Sequence, residues 1–493
     1  MPDMTNTSAV ATTAISRNKH SHKRSVIVVS CIATLLGLTA CSGGGQVTPP
    51  DGTSAGTQGG GPATTAIAMP PVDPWAHTYG GGGQDSFSPV TVADNGDIIA
   101  AGYTDSTDGD FPATHGQDND DAMLARFTPT GDLIWAHTYG GTNDEGFYSL
   151  AVADNGDIIA IGATSSADGD FPSAHGVDNF DAVIARFTPT GDLIWAHTLG
   201  GPDREFFESV TIADNGDIVT AGYTYSSEGD FPTTHGDDNF DAVIARFTPT
   251  GDLIWAHTLG GSGLDYFSSV AVTDNGDIVT AGYTMSKDGD FPMAHEEKAD
   301  ALIARFTPTG DLIWAHTLGG SGEDYFQALV VADNGDIIVT GAAMSADGDF
   351  PATHGADNRD ALIARFTPTG DLIWAHTFGG TKDDYFVSAT GADNGDIITA
   401  GYTYSTDGDF PSTHGEEQRD ALIARFTSTG DLVWAHSYGG NNNDYFDSVI
   451  GAGNGDIIVT GYSDSTDGDF PATHGADNRD ALIARFTEKG TLT

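Results

Sequence analysis

Acidic side chains recur at fixed offsets through most of this chain, and they are the residues whose chemistry must be read first. One series lies in the pattern G-G-x-x-x-[DE]-x-F, at Asp85, Glu145, Glu205, Asp265, Asp324, Asp384 and Asp444. A second lies in [DE]-G-D-F-P-x-x-H, at Asp110, Asp170, Asp230, Asp290, Asp349, Asp409 and Asp469, with another acid two residues earlier each time. Oxygen-rich loops with a glycine at the sharp turn suit Ca²⁺, which takes about six to eight oxygen ligands. The best single candidate is Asp105, Asp108 and Asp110 in D-S-T-D-G-D, echoed at Asp464, Asp467 and Asp469. The spacing is not that of an EF-hand loop, and the other copies put Ser, Tyr or Met first. A structural reading therefore competes, in which these aspartates cap turns and keep sheet edges soluble. No other cofactor is called for.

Histidine and arginine follow the same rhythm. Fourteen of the 16 histidines fall in two registers, those of His77 in W-A-H-T and of His115 after F-P. One histidine per copy at each register is too few, and the copies too far apart, for zinc with its usual ligand spacing, so packing and hydrogen bonding between neighbouring units is the expectation. Arg126, Arg186, Arg246, Arg305, Arg365, Arg425 and Arg485 are expected to pair with the repeated aspartates. No G-x-S-x-G, H-E-x-x-H or phosphate-cradling loop is present. In the copy carrying His295 the next loop reads E-E-K-A-D, one residue short, which marks that unit as the odd one.

The elements that position these residues come from the period. Tryptophans stand at Trp75, Trp135, Trp195, Trp255, Trp314, Trp374 and Trp434, sixty apart except for one step of fifty-nine. Such a period means an array of one supersecondary unit. Within a unit, Ser209–Asp214 and Asp217–Thr224 flank Asn215-Gly216, a strong hairpin signal because both residues of a two-residue turn need φ > 0. Asp241–Thr248 and Asp252–Thr258 flank P-T-G, where Pro249 presets the turn. Four antiparallel strands repeated seven times predict an all-β, seven-bladed β-propeller. The last unit lacks its fourth strand and Trp75–Thr78 is an extra copy, so the N-terminal strand is expected to pair with the last blade and close the ring.

These residues also resemble a known family, the bacterial seven-bladed β-propeller repeat, called the SBBP repeat. The resemblance covers about 75–493 and rests on Gly260-Gly261, Asp265, Asp274-Asn275-Gly276-Asp277, Gly282-Tyr283-Thr284, Asp290-Phe291-Pro292 and Asp300-Ala301-Leu302-Ile303-Ala304-Arg305. It implies a propeller on an exported bacterial protein and carries no general activity. In such a fold the first strand of each blade lines the central channel, which makes the Asp85 series a ring of acids at the channel mouth.

Charge and leader bound the function. The chain has 70 acidic and 19 basic residues. Setting aside residues 1–40, with Arg17, Lys19, Lys23, Arg24 and Asp3, leaves 69 acids against 15 bases, a net charge of −54. Such a surface repels nucleic acid and anionic headgroups. Residues 17–24 are basic, Ser25–Ala40 is an apolar run too short to span a membrane, and Leu38-Thr39-Ala40-Cys41 resembles a bacterial lipobox. The resemblance implies cleavage before Cys41 and lipidation of its sulfur, with Ser42 resembling lipoproteins sent to a Gram-negative outer membrane. Residues 41–71 are rich in Gly, Ser, Thr and Pro and read as a flexible tether. The expected arrangement is a signal peptide over 1–40, a tether over 41–71 and a propeller over 72–493. The expected function is a monomeric, non-catalytic binding or adhesion scaffold at the cell envelope, touching membrane only through its anchor and taking a protein or polysaccharide. The rivals are a structural envelope protein without a soluble ligand and a polysaccharide-acting enzyme using the channel.

Overall fold

A computed structural model describes residues 72–492, apart from 113, 117–118, 173, 176–178, 233–234, 236–238, 296–297, 352, 355–357, 393, 412–413, 415–417, 472 and 475–478. The leader, Cys41 and the tether lie outside the described residues. What is described is all β: seven four-stranded antiparallel sheets, each following chain order except the one that contains both ends. In blade 1 the strands are Asp85–Val92, Ile98–Thr104, Asp121–Phe127 and Leu133–Tyr139. Blades 2 to 7 begin at Glu145, Glu205, Asp265, Asp324, Asp384 and Asp444. The chain is a seven-bladed β-propeller.

The first strand of each blade is the inner one. Consecutive first strands are stitched side by side, with the Val210 amide donating to Ser149 Oγ at 3.1 Å and the Val270 amide to Ser209 Oγ at 3.1 Å. The fourth strand is outermost and exposes Ile134 and its copies at about half of their surface. The middle strands are apolar on both faces because both are covered. Ile98 and Ala100 pack with Ile450, Ile458 and Ile483 of blade 7, while Ile99 and Ala101 pack with Phe147, Leu150 and Ile158 of blade 2. Within a blade, Phe87 meets Phe111 and Phe127 edge-on at 5.8 and 5.7 Å.

The hairpins differ in one respect from the two-residue turn expected. The Gly96 amide donates to Ala93 O at 2.8 Å and the Ala93 amide to Asp97 O at 2.9 Å, so the loop is Asp94-Asn95-Gly96. Gly96 takes the left-handed φ of 85°. Asn95 works through its side chain, accepting from the Asp97 amide at 3.1 Å and donating to Asp97 Oδ2 at 2.8 Å. Three-residue loops with a left-handed glycine are the next commonest way to join twisted strands. Another glycine is demanded by close approach: a Cβ on Gly102 would lie 1.9 Å from Ser86 O, where the inner strand bulges.

The ring closes as expected. Trp75–Tyr79 pairs antiparallel with Asp480–Phe486, Trp75 opposite Arg485 and Tyr79 opposite Ala481, which gives blade 7 its fourth strand. Deleting residues 75–79 exposes the edge of Asp480–Phe486 and uncovers Phe127 beside Tyr79. The truncated protein is expected to unfold several degrees lower by calorimetry and to self-associate on size exclusion; a monomer with an unchanged midpoint would show that closure contributes nothing.

Candidate functional site

The seven acids expected at the channel mouth are sealed inside the blades. Asp85 has no exposed surface. Its Oδ2 accepts from Ser106 Oγ at 2.7 Å and the Gly81 amide at 3.0 Å, and its Oδ1 accepts from Thr104 Oγ1. Asp265 repeats this with Ser286, Gly261 and Thr284. Each carboxylate thus ties its Gly-Gly turn to the end of the second strand. Burial pushes Asp85 and Asp384 up to about 6, and Glu205 and Asp444 up to about 7, against their hydroxyl and amide donors. A second buried acid adds to the strain at each junction. His115 donates its amide and turns Nδ1 to Asp121 Oδ2 at 2.8 and 2.6 Å, leaving Asp121 Oδ1 without a partner in the protein. A Cβ on Gly140 would lie 2.7 Å from that oxygen and 2.4 Å from Glu145 Oε2, so two carboxyl groups of neighbouring blades crowd one glycine.

The calcium candidates are spread over separate amides. Asp105 accepts from the Gln84 amide, Asp108 from the Gly82 amide at 2.7 Å and Asp110 from the Gly80 amide at 3.2 Å. In blade 7, Asp464 pairs with Arg479 at 3.2 Å, Asp467 takes the Asn441 amide at 3.0 Å, and Asp469 takes the Gly439 amide at 3.1 Å. Among the described residues no three His, Cys, Asp or Glu side chains converge as a metal set. What these aspartates do is fasten the turn entering each blade to the loop after its second strand.

Histidines and arginines join blades. His115 Nε2 reaches Asp170 of the next blade at 3.7 Å, and His474 reaches Asp110 across the closure at 3.5 Å. Arg126 binds Asp97 at 2.9 Å in its own blade and donates to Pro189 O of the next at 2.9 Å. Arg485 makes the same link to Pro129 across the closure at 3.2 Å.

Against this uniform frame, the rim around the axis is not uniform. At the end where inner strands begin, four registers differ from blade to blade, while the Asp/Glu, Phe and Gly between them do not. The residue after the buried acid is Ser86, Gly146, Phe206, Tyr266, Tyr325, Tyr385 or Tyr445. Opposite it on the second strand stands Tyr103, Ala163, Tyr223, Tyr283, Ala342, Tyr402 or Tyr462. The residue before the third strand is Asp120, Phe180, Phe240, Ala299, Arg359, Arg419 or Arg479. The rings stack into a belt that crosses blade junctions: Tyr223 meets Tyr266 at 5.1 Å and Tyr402 meets Tyr445 at 4.8 Å. Phenylalanines fill the arc of blades 2 and 3, arginines that of blades 5 to 7. Arg419 lies over Tyr402, Tyr445 and Tyr462 at 5.1 to 5.4 Å, and Arg479 over Tyr462 at 3.6 Å.

The fourth register, after the core Phe, reads Ser88, Tyr148, Glu208, Ser268, Gln327, Val387 or Asp447 and points beneath this belt. Glu208 is 5% exposed, takes a hydrogen bond from Tyr266 through one oxygen and leaves Oε2 unpartnered. Burial pushes it up to about 8. Asp447, 3% exposed, is pushed well up by burial despite Arg479 and Arg419 nearby. Sequence reasoning passed over all four registers because attention went to what repeats. The available signal was the opposite, namely variation between copies on a nearly identical background.

No known family profile matches the chain. Among curated proteins it is 25% identical over 209 residues to the Regulatory protein FlaEY of Caulobacter vibrioides, a match covering 39% of this chain and 22% of that protein. It is 22% identical over 229 residues to the uncharacterized WD repeat-containing protein L264 of Acanthamoeba polyphaga mimivirus, covering 38% and 16%. The chain therefore spans about a fifth of these relatives' length. Among solved structures the WD40 domain of Neurospora crassa Pan2 aligns over 82% of this chain and 92% of its own, at 9% identity and a TM-score of 0.45.

Two measurements follow. Every buried acid named above binds its proton more tightly folded than unfolded, so stability is greatest below the unfolded carboxylate range and falls as pH rises to about 8. Glu208→Gln keeps the neutral form, and should flatten that fall by up to about 1.4 kcal/mol per pH unit; urea titrations at pH 5, 7 and 8.5 with an unaltered slope would remove Glu208 from the account. Ca²⁺ and Mg²⁺ at equal concentration should raise the thermal midpoint equally and slightly, by screening the acidic surface; a rise of many degrees with Ca²⁺ alone would restore the acidic loops as sites.

Proposed function

We propose that this propeller is a non-catalytic binding scaffold of the bacterial cell envelope, lipid-anchored through Cys41 and taking its ligand on the rim of the inner strands. The observation that carries the reading is the rim itself. Units alike nearly everywhere else diverge at the registers where the starts of the inner strands meet across blade junctions, and there aromatic and arginine side chains gather. A frame that is repeated while one surface is varied is the arrangement of a recognition platform, since function lives in sites grafted onto a fold. The resemblance to the SBBP repeat and the lipobox-like Leu38–Cys41 support export and anchoring, and the G/S/T/P-rich residues after Cys41 supply reach.

A catalytic reading has one observation behind it, the near-neutral titration of Glu208 in an apolar setting, which is how enzymes tune an acid. The groups that act on Glu208 are the tyrosines Tyr148, Tyr223 and Tyr266, and the other acid of its register, Asp447, stands in blade 7. The scaffold reading is therefore the better supported.

Both parts of the proposal can be measured in cells producing the whole chain. Cys41→Ala should move the protein from the membrane fraction to the soluble fraction and abolish labelling by a fatty-acid probe. Attachment of the cells to polysaccharide-coated or protein-coated surfaces should drop to that of cells lacking the chain when Tyr225 and Tyr404, partly buried just after the second strand and edge-on to Tyr223 and Tyr402 of the belt, become alanine. Attachment that survives these changes would move the ligand elsewhere, and release of soluble sugar from the coating would make the protein an enzyme.

A further inference from the structure

Two of the three arginines in the arc are paired with acids, and the third is held differently. Arg359 pairs with Glu323, and Arg479 pairs with Asp464 at 3.2 Å. Among the described residues no carboxylate forms an ion pair with Arg419; its terminal nitrogen reaches the Tyr462 hydroxyl, and its Nε is buried without an acceptor. Its guanidinium lies over the ring faces of Tyr402, Tyr445 and Tyr462, and the buried Asp447 acts on it from beyond ion-pair distance. Buried charge is costly unless it is paired, and a fork of donors fixed by aromatic packing is shaped for an incoming planar anion. Tyr404 lies beside it, and Tyr385 stands one ring further on, next to Tyr402; each is partly buried and so keeps some surface open. Tyr385 stacks on Tyr402 at 4.8 Å, and Tyr404 stands edge-on to Tyr402 at 5.9 Å, which holds both rings in place.

We propose that the rim of blades 5 to 7 is a site for an acidic saccharide, in which Arg419 takes the carboxylate of a uronic acid residue and Tyr385 and Tyr404 receive the apolar faces of the sugar rings. The inference rests on the scaffold reading above and names the ligand class of that same rim. Carboxylate and ring are both needed: a lone anion would leave the open tyrosine faces unused, and a neutral sugar would leave Arg419 without its acceptor. The surrounding charge sets the size of the anion. The net charge of −51 repels an extended polyanion, so a short chain or a chain end fits better than the middle of a long acidic polymer. Long-range repulsion and short-range pairing are screened differently, so affinity for a short oligouronate should change little with salt while that for a long one should rise.

Calorimetric titration of the whole chain with galacturonate trimer, galactose trimer and an acidic peptide of equal charge tests the assignment. The expected result is a preference of about tenfold or more for the acidic sugar over the neutral one, and no binding of the peptide. Arg419→Gln should erase the preference for acid. Tyr404→Ala, at a half-buried position that leaves the core intact, should weaken both sugars together. Unaltered thermal midpoints identify the folded variants, and either variant suffices for the test. Equal affinity for the two sugars, binding of the peptide in place of the trimer, no binding at millimolar concentration, or an acid preference that survives Arg419→Gln would overturn the proposal. If the sugars fail while attachment still depends on Tyr225 and Tyr404, only the ligand class falls; if both fail, the rim is not the binding surface.

Discussion

A β-sheet that is apolar on both faces has to be covered on both, and every blade of this protein is such a sheet. Ile98 and Ala100 need a neighbour on one side, Ile99 and Ala101 on the other. No blade is stable alone, and an open row of blades would leave two faces in water. The only arrangement in which each sheet is both covered and covering is a closed ring. Ring closure is therefore the constraint on which the rest depends, and the pairing of Trp75–Tyr79 with Asp480–Phe486 is its physical form. Arg485 and His474 complete it with the polar contacts that other junctions make, to Pro129 and Asp110.

Packing of apolar faces is non-directional and would tolerate some sliding of one blade on the next. The polar groups between blades remove that freedom. The buried acid at the start of the inner strand, as Asp85 shows, has its oxygens assigned to two hydroxyls and an amide, and a second acid at the start of the third strand is held by a histidine. These contacts fix angle and register at an electrostatic cost that grows with pH, because the acids are buried and, to a smaller extent, because two of them crowd the same glycine. Raised carboxyl pKa values throughout the ring are the measure of that cost. The acids serve architecture first.

Repetition constrains the rim differently. A residue beneath the Gly-Gly turn meets the same neighbours in every blade and has one good solution. A residue on the rim meets its counterpart in the next blade, so the two are free to differ together. The belt uses that freedom to place phenylalanine on one arc and arginine on the other.

Much of this was legible in the sequence. The tryptophan period, the Asn-Gly and P-T-G loops and the surplus W-A-H-T each report a local property, namely a turn or a strand, and local properties survive without knowledge of the fold. Their sum determined the number of blades, the strand order and the clasp. The pairing of Arg126 with a repeated aspartate and the stitching role of the histidines were also readable, because one such residue per unit has no other plausible use. What only the tertiary structure decided is which acids see water. Asp85 and Asp108 look equivalent as letters, yet one lies wholly inside a blade and the other caps an exposed turn. Exposure depends on contacts from residues twenty or more positions away and from the next sheet, such as Thr104 and Ser106 around Asp85. The convergence of Tyr402, Tyr445 and Tyr462 on Arg419 is of the same kind, since it joins blades 6 and 7 through side chains that no local pattern connects.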